Sequence, residues 1–231
     1  MSAPARRGRP KSEQKRAAIL KAASALFLEQ GLQGTSMDQV ARTAGVSKQT
    51  LYSHFDGKED LFRSCIRGKV ERYGFDGVSV GAGRDAGVDA SKSAPPGADA
   101  RAVLLHVARG FMELIFDPEV VAMHRVVMAE AAAHPRIAAL FFENGPAAAQ
   151  RTVAAVLALL VEQGRLRPHD TGEAAWQLMN LCFGSFHVRL LLHLIDAVPA
   201  DALERHLVSA VDDFVRLHGA ERPAEAVSSQ P

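Results

Sequence analysis

The chain has 231 residues, 48% hydrophobic and 23% charged, with a net charge of +1. That composition is ordinary for a globular protein with ample core, and it excludes disordered, collagen-like and disulfide-stapled classes. The near-neutrality hides an asymmetry, since residues 1–72 carry 14 Lys/Arg and 7 Asp/Glu whereas residues 73–231 carry 13 and 19. A basic front on an acidic body suits a protein that meets a polyanion with one end only.

Residues 1–11 are polar, basic and Pro-containing, and are expected to be disordered alone. Arg6, Arg7, Gly8, Arg9, Pro10 and Lys11 suit an extended strip in an A·T-rich minor groove, with Arg7 and Arg9 entering it; the other reading is a solubilising tail. A helix follows over 13–30, with Ile19, Ala23, Leu26 and Phe27 at helical spacing and Gly31 as its stop.

From Thr35 to Phe62 the sequence reads as two short helices, a tight turn and the start of a third. Ser36 and Gln39 form a capping box, and Val40, Ala41 and Ala44 give the first helix an apolar face. Gly45 supplies the left-handed turn and Val46 follows as an apolar plug. Ser47 caps the second helix, where Leu51 and Phe55 point inward and Lys48, Gln49, Thr50, Tyr52 and Ser53 stay outside. Asp56 with Glu59 is expected to cap the third helix. The pattern is a helix-turn-helix whose second helix presents hydrogen-bonding side chains, and duplex DNA is the expected partner. Lys48, Gln49, Thr50 and Tyr52 are the candidate reading surface; Ser36, Ser47, His54 and Lys58 are candidate phosphate contacts. Lys58 stands where a helix dipole disfavours a cation, which argues for a phosphate rather than a structural role.

The helix over 57–72 carries Leu61, Phe62, Cys65 and Ile66 and must connect this head, residues 12–56, to the rest. Residues 73–99 hold six glycines and no periodicity, so they read as a flexible loop; their glycine spacing fits no phosphate-binding fingerprint. From 100 to 218 helix follows helix, over 100–116, 119–133, 136–143, 146–163, 171–195 and 200–218, divided by Asp-Pro, His-Pro, Asn-Gly-Pro and Gly stops. The expected fold is all-α: a three-helix head, a connecting helix and a helical body, with 219–231 a disordered tail. The segment 171–195 is apolar nearly all round, so it should bury one face in its own domain and the other against something else.

No catalytic signature is present: there is no HExxH, GxSxG or P-loop, and Cys182 and His187 fall on different faces of one helix. The histidines show no ligand spacing, and Cys65 and Cys182 read as core thiols of a reducing cytosol. No enzyme activity, metal or cofactor is expected. The N-terminus lacks an apolar signal core and the longest apolar run, 153–161, is half of what a bilayer requires, so a cytoplasmic protein without a membrane partner is expected.

The segment from about 12 to 66 resembles the DNA-binding domain of the TetR family of bacterial transcription regulators. The matching residues include Ala17, Ile19, Leu20, Ala22, Ala23, Leu26, Phe27, Gly31, Thr35, Ser36, Ala41, Ala44, Gly45, Val46, Leu51, Tyr52, His54, Phe55, Lys58, Leu61 and Phe62. The stretch RVVMAEAAAHPRIAALFFENGP, followed by GRLRPHD, resembles the C-terminal domain of the AefR-like subgroup. The 73–99 loop departs from the family's usual short connection. The resemblance implies a repressor on a palindromic operator, a homodimer through 171–195 and 200–218, and release by a small hydrophobic effector. It also makes Tyr52 a backbone contact, leaving base reading to Lys48, Gln49 and Thr50. Candidate effector-lining residues are Arg109, Met112, Met123, Arg125 and Met128, together with Phe142, Trp176, Met179 and Phe183, each of which could equally be ordinary core. A second reading keeps the fold but gives control to a partner protein, or has the chain act on the nucleoid without an inducer.

Overall fold

The computed structural model describes residues 9–72 and 99–220. Eleven helices run through them: α1 (Arg9–Gly34), α2 (Met37–Thr43), α3 (Lys48–Tyr52), α4 (Lys58–Arg72), α5 (Ala100–Ile115), α6 (Pro118–Glu130), α7 (Pro135–Asn144), α8 (Pro146–Glu162), α9 (Thr171–Phe183), α10 (Phe186–Leu191) and α11 (Ala200–His218). Among the described residues the one β pairing is an isolated Leu166–Gly219 bridge, so the chain is all-α as expected. Of the expected arm over 1–11, residues 1–8 with Arg7 lie outside the described residues, whereas 9–11 already belong to α1, so the arm is shorter than expected. Residues 73–98 of the 73–99 loop, 221–231 of the 219–231 tail and the side chain of Arg9 also lie outside the described residues.

The helix starts follow local chemistry. Asp99 accepts the Ala102 N–H at 2.8 Å, Asp117 those of Glu119 and Val120 with Pro118 at the first helical position, and Asp170 those of Gly172 and Glu173. Gly31, at φ 70°, interrupts α1 where a stop was expected, and one more turn follows to Gly34. Thr35 then donates its hydroxyl back to the Gly31 carbonyl at 2.8 Å.

The chain divides into two units by packing, Met1–Lys69 with Asp117–Pro146, and Val70–Phe116 with Ala147–Pro231. In the first, Ile19, Phe27, Leu32, Val40, Leu51, Phe55, Leu61 and Phe62 form the core, with Phe27 and Phe62 edge to face at 5.5 Å. Val127 of α6 and Ile137 of α7 belong to that same core, flanked by Met123, Ala138 and Phe141. Polar contacts hold the two helices there as well. Lys69 reaches Glu119 at 2.6 Å and Asp117 at 3.4 Å, Arg136 reaches Glu59 at 2.8 Å, and the Glu130 carboxylate lies against Gly31 so closely that a Cβ there would collide with it. α6 and α7, expected within the 100–218 body, thus spend apolar faces on the head core.

The second unit centres on Leu104, Phe111, Met112, Leu157, Ala175, Leu178, Val211 and Phe214, with α11 packed on α5 and α9. Arg101–Asp212 at 2.5 Å and Arg109–Glu204 at 3.0 Å link α5 to α11; exposed pairs of this kind orient helices more than they stabilise them. Here the expected helix over 171–195 is broken. Gly184, at φ 49° and ψ −143°, ends α9, and α10 runs only to Leu191, so Leu194 lies outside any helix. His206 of α11 lies at the break. Its ring Nε2 lies 2.9 Å from the Leu181 carbonyl, the acceptor that a continuous helix would give to Ser185, and its ring fills the space a side chain at 184 would need.

Both cysteines are buried, and burial pushes the thiols up to about 11 for Cys65 and about 12 for Cys182, as core thiols should be. Among the described residues no helix is long and apolar enough to cross a membrane. The break generates a stability prediction. Gly164→Ala carries only the strain of φ 66°, because nothing lies within 4 Å of a Cβ there, and should cost about 1–2 kcal/mol. Gly184→Ala adds a collision 2.7 Å from His206 and should cost about 1–3 kcal/mol more in urea denaturation.

Candidate nucleic-acid interface

The interface is built on three short pieces of chain. Ser36 caps α2 reciprocally: its Oγ accepts the Gln39 N–H at 3.2 Å while Gln39 Oε1 accepts the Ser36 N–H at 2.8 Å. At the other end the Val46 N–H bonds the Ala41 carbonyl at 3.0 Å across Gly45, whose φ of 67° only glycine takes without strain. Ser47 then starts α3, accepting the Thr50 N–H at 3.1 Å and meeting the Thr50 hydroxyl at 2.9 Å. Leu51 and Phe55 are wholly buried beneath α3, and Lys48, Gln49 and Tyr52 are exposed, with Thr50 half-buried beside them. The helix-turn-helix and its outward row are therefore as the spacing implied.

Two details differ from expectation. α4 starts at Lys58, with Gly57 in the capping position, and the Asp60 carboxylate accepts the Asp56 N–H at 3.3 Å; the Asp56–Glu59 capping box does not form. Lys58 is explained differently as well. Its ammonium donates to the Thr35 carbonyl at 3.1 Å and, more weakly, to that of Gln33 at 3.4 Å. The cation disfavoured by the start of α4 is thus favoured by the negative end of α1, so the dipole argument alone does not demand a phosphate. One of its three N–H groups remains for another acceptor. His54 is half-buried with its ring tilted 6.3 Å from that of Phe55, and Arg16 of α1 lies over the same Phe55 at 5.4 Å.

Sequence reasoning passed over Asp38. Its carboxylate holds the Lys48 ammonium at 2.6 Å, joining the first turn of α2 to the first turn of α3. Nothing in the periodicity signals the pair, because the two residues are ten apart and meet only once the turn has formed.

The candidate effector residues are divided. Met123, Arg125, Met128 and Phe142 belong to the unit that carries the helix-turn-helix, where Met123 packs on the core and Met128 and Phe142 are exposed. Met112, Trp176, Met179 and Phe183 belong to the other, with Met112 and Met179 buried and Phe183 against Phe111 at 5.5 Å. Arg109, expected to face a ligand, is turned to the surface by Glu204. His187, which was not among them, stacks on Phe183 at 4.8 Å, and burial lowers its pKa, which favours the uncharged ring. Among the described residues no group of three or more His, Cys, Asp or Glu side chains is placed to hold a metal ion.

A helix-turn-helix head with an exposed polar recognition helix defines a DNA-binding protein. Comparison with known proteins gives the same class. Residues 19–65 match the bacterial regulatory proteins of the tetR family, and residues 102–220 match the C-terminal domain of AefR-like transcriptional repressors. The flavonoid-responsive regulator FrrA shares the fold with a TM-score of 0.68 at 30% identity, over 91% of this chain and 100% of that one. A TetR-family regulator from Mesorhizobium loti does so with a TM-score of 0.72 at 25% identity, over 90% and 98%. Among curated proteins, the transcriptional repressor BepR of Brucella suis is 39% identical over 61 residues, 26% of this chain and 29% of that one. The transcriptional activator FasR of Mycolicibacterium smegmatis is 39% identical over 59 residues, 26% and 27%. The chain thus covers under a third of the length of these curated relatives. The chain belongs to the TetR family of transcriptional regulators.

Proposed function

We propose that the chain acts as a homodimeric repressor on a palindromic operator and leaves it when a small hydrophobic molecule binds the unit formed by α5, α8, α9, α10 and α11. The observation that carries the DNA half is the outward row of exposed Lys48, Gln49 and Tyr52 with half-buried Thr50, over a buried Leu51 and Phe55. Base reading falls to Lys48, Gln49 and Thr50, with Ser36, Ser47, Tyr52, His54 and the third N–H of Lys58 on phosphates. Arg7 in the arm and Arg9 at the start of α1 add minor-groove attraction. The repressor sense follows the AefR-like match over 102–220, since the relatives matching only the head include one named a repressor and one an activator.

Effector control is supported by the chemistry of the second unit and by the name of FrrA, a flavonoid-responsive regulator. Met112, Met179, Phe183 and the half-buried Trp176 offer an apolar, adaptable lining, and His187 stacked on Phe183 offers a polar anchor in place of Arg109. Dimerisation is supported by exposed Val188, Leu192 and Leu194 at and after α10 and by Leu217 on α11, within the segments 171–195 and 200–218. Two recognition helices about 34 Å apart, one per major groove, require such a two-fold.

Three outcomes are expected. Lys48→Ala relaxes base preference at one or two operator positions, by about 1–3 kcal/mol per half-site, whereas Lys58→Met weakens all sequences alike and flattens the salt dependence. The contrast is read by anisotropy on variant duplexes, and identical effects of the two substitutions defeat this division of labour. Leu192→Glu places a charge in an apolar seam, so light scattering should report monomers and operator affinity should collapse while the circular dichroism of the helices persists. A unmodified protein that is already monomeric at micromolar concentration removes the dimer. Finally, a panel of hydrophobic compounds is titrated while Trp176 fluorescence and operator affinity are followed together. If every compound that perturbs Trp176 leaves the operator complex intact, control by a partner protein or action on the nucleoid replaces the inducer.

A further inference from the structure

The Asp38–Lys48 pair has a carboxylate on the surface that must approach a polyanion. Both side chains are open to solvent, 50% and 65% exposed, yet the Oδ2–Nζ distance is 2.6 Å. Stabilising α2 does not require it to lie there, because Ser36 and Gln39 already satisfy that helix start. Lys48 stands in the first turn of α3, where the dipole disfavours its charge, and Asp38 is the group that offsets it. The pair therefore fixes an otherwise flexible four-carbon side chain at the beginning of the recognition helix.

We propose that Asp38 is a specificity-determining positioning residue, which holds the Lys48 ammonium for a guanine in the major groove and withholds it from phosphates. The proposal rests on the reading of Lys48 as a base contact. An ammonium has three N–H groups, so one can stay on Asp38 while the others meet guanine O6 and N7. A duplex without guanine at that position does not offer O6 and N7 together to the held ammonium. A phosphate that draws Lys48 instead brings the Asp38 carboxylate near the backbone, whether the pair persists or parts, so little net charge neutralisation is returned. The acid thus lowers affinity for all DNA but lowers it most for the wrong DNA, which is how a discriminating interface uses repulsion.

The test uses the full chain and a palindromic duplex selected from a random library by the unmodified protein, with a scrambled duplex of equal length beside it. Asp38→Asn should raise scrambled-duplex affinity by about three- to fivefold per head, the scale of an exposed ion pair. Its salt dependence on the scrambled duplex should steepen by about one phosphate per head. Selected-duplex affinity should change less, and preference for guanine should weaken at one position of each half-site only. Asp38→Glu should retain the unmodified behaviour. In the Lys48→Ala background Asp38→Asn should leave base preference unchanged, because no lysine remains to be held. Equal gains on both duplexes, or an unchanged guanine preference in Asp38→Asn, overturn the proposal and leave Asp38 a plain surface charge. If Lys48→Ala itself leaves base preference intact, the reading of Lys48 has failed, and the proposal with it.

Discussion

The recognition surface depends on two buried side chains. α3 is five residues long, far below the length at which an isolated helix holds together in water. Its conformation comes from Ser47 at its start and from Leu51 and Phe55, which anchor it in the core shared with Phe27, Phe62 and Val40. Every outward residue of α3 inherits its direction from that anchorage. Substitutions at Leu51 or Phe55 are therefore DNA-binding substitutions as much as stability ones.

The head was legible in the sequence because its devices are local. A capping box spans four residues, a glycine turn spans one, and the apolar face of α2 repeats within a single turn; each can be recognised without knowing what lies opposite. Lys58 shows the limit of such reasoning. Its place at a helix start was readable, but the carbonyls of Gln33 and Thr35 that receive it are more than twenty residues away in sequence. Gly184 shows the same limit in the body. The apolar run over 171–195 argued for an unbroken helix, and the group that meets the Leu181 carbonyl at the break is the ring of His206 on another helix. The partition of the candidate effector residues was hidden for a similar reason, since periodicity tells that Met123 and Met179 face inward and not which interior they face.

The same distinction separates the two candidate sites in how well they are defined. The DNA-facing row consists of exposed side chains on a framework whose caps and turn are all accounted for by hydrogen bonds. In the second unit the informative feature is chemical rather than geometric: Phe111 lies against Phe183 and His187 stacks on Phe183, and it is this soft aromatic character that the effector proposal draws on.

The head is also not a contiguous stretch of chain. Val127 and Ile137 sit in the same core as Phe27 and Leu51, yet they are encoded well after the helix-turn-helix. During synthesis the ribosome releases α1 to α4 first, and their apolar face waits for α6 and α7. At roughly 5–20 residues per second that interval lasts several seconds. For that time the half-made head lacks the apolar cover of Val127 and Ile137 while it already carries the basic residues around its helix-turn-helix.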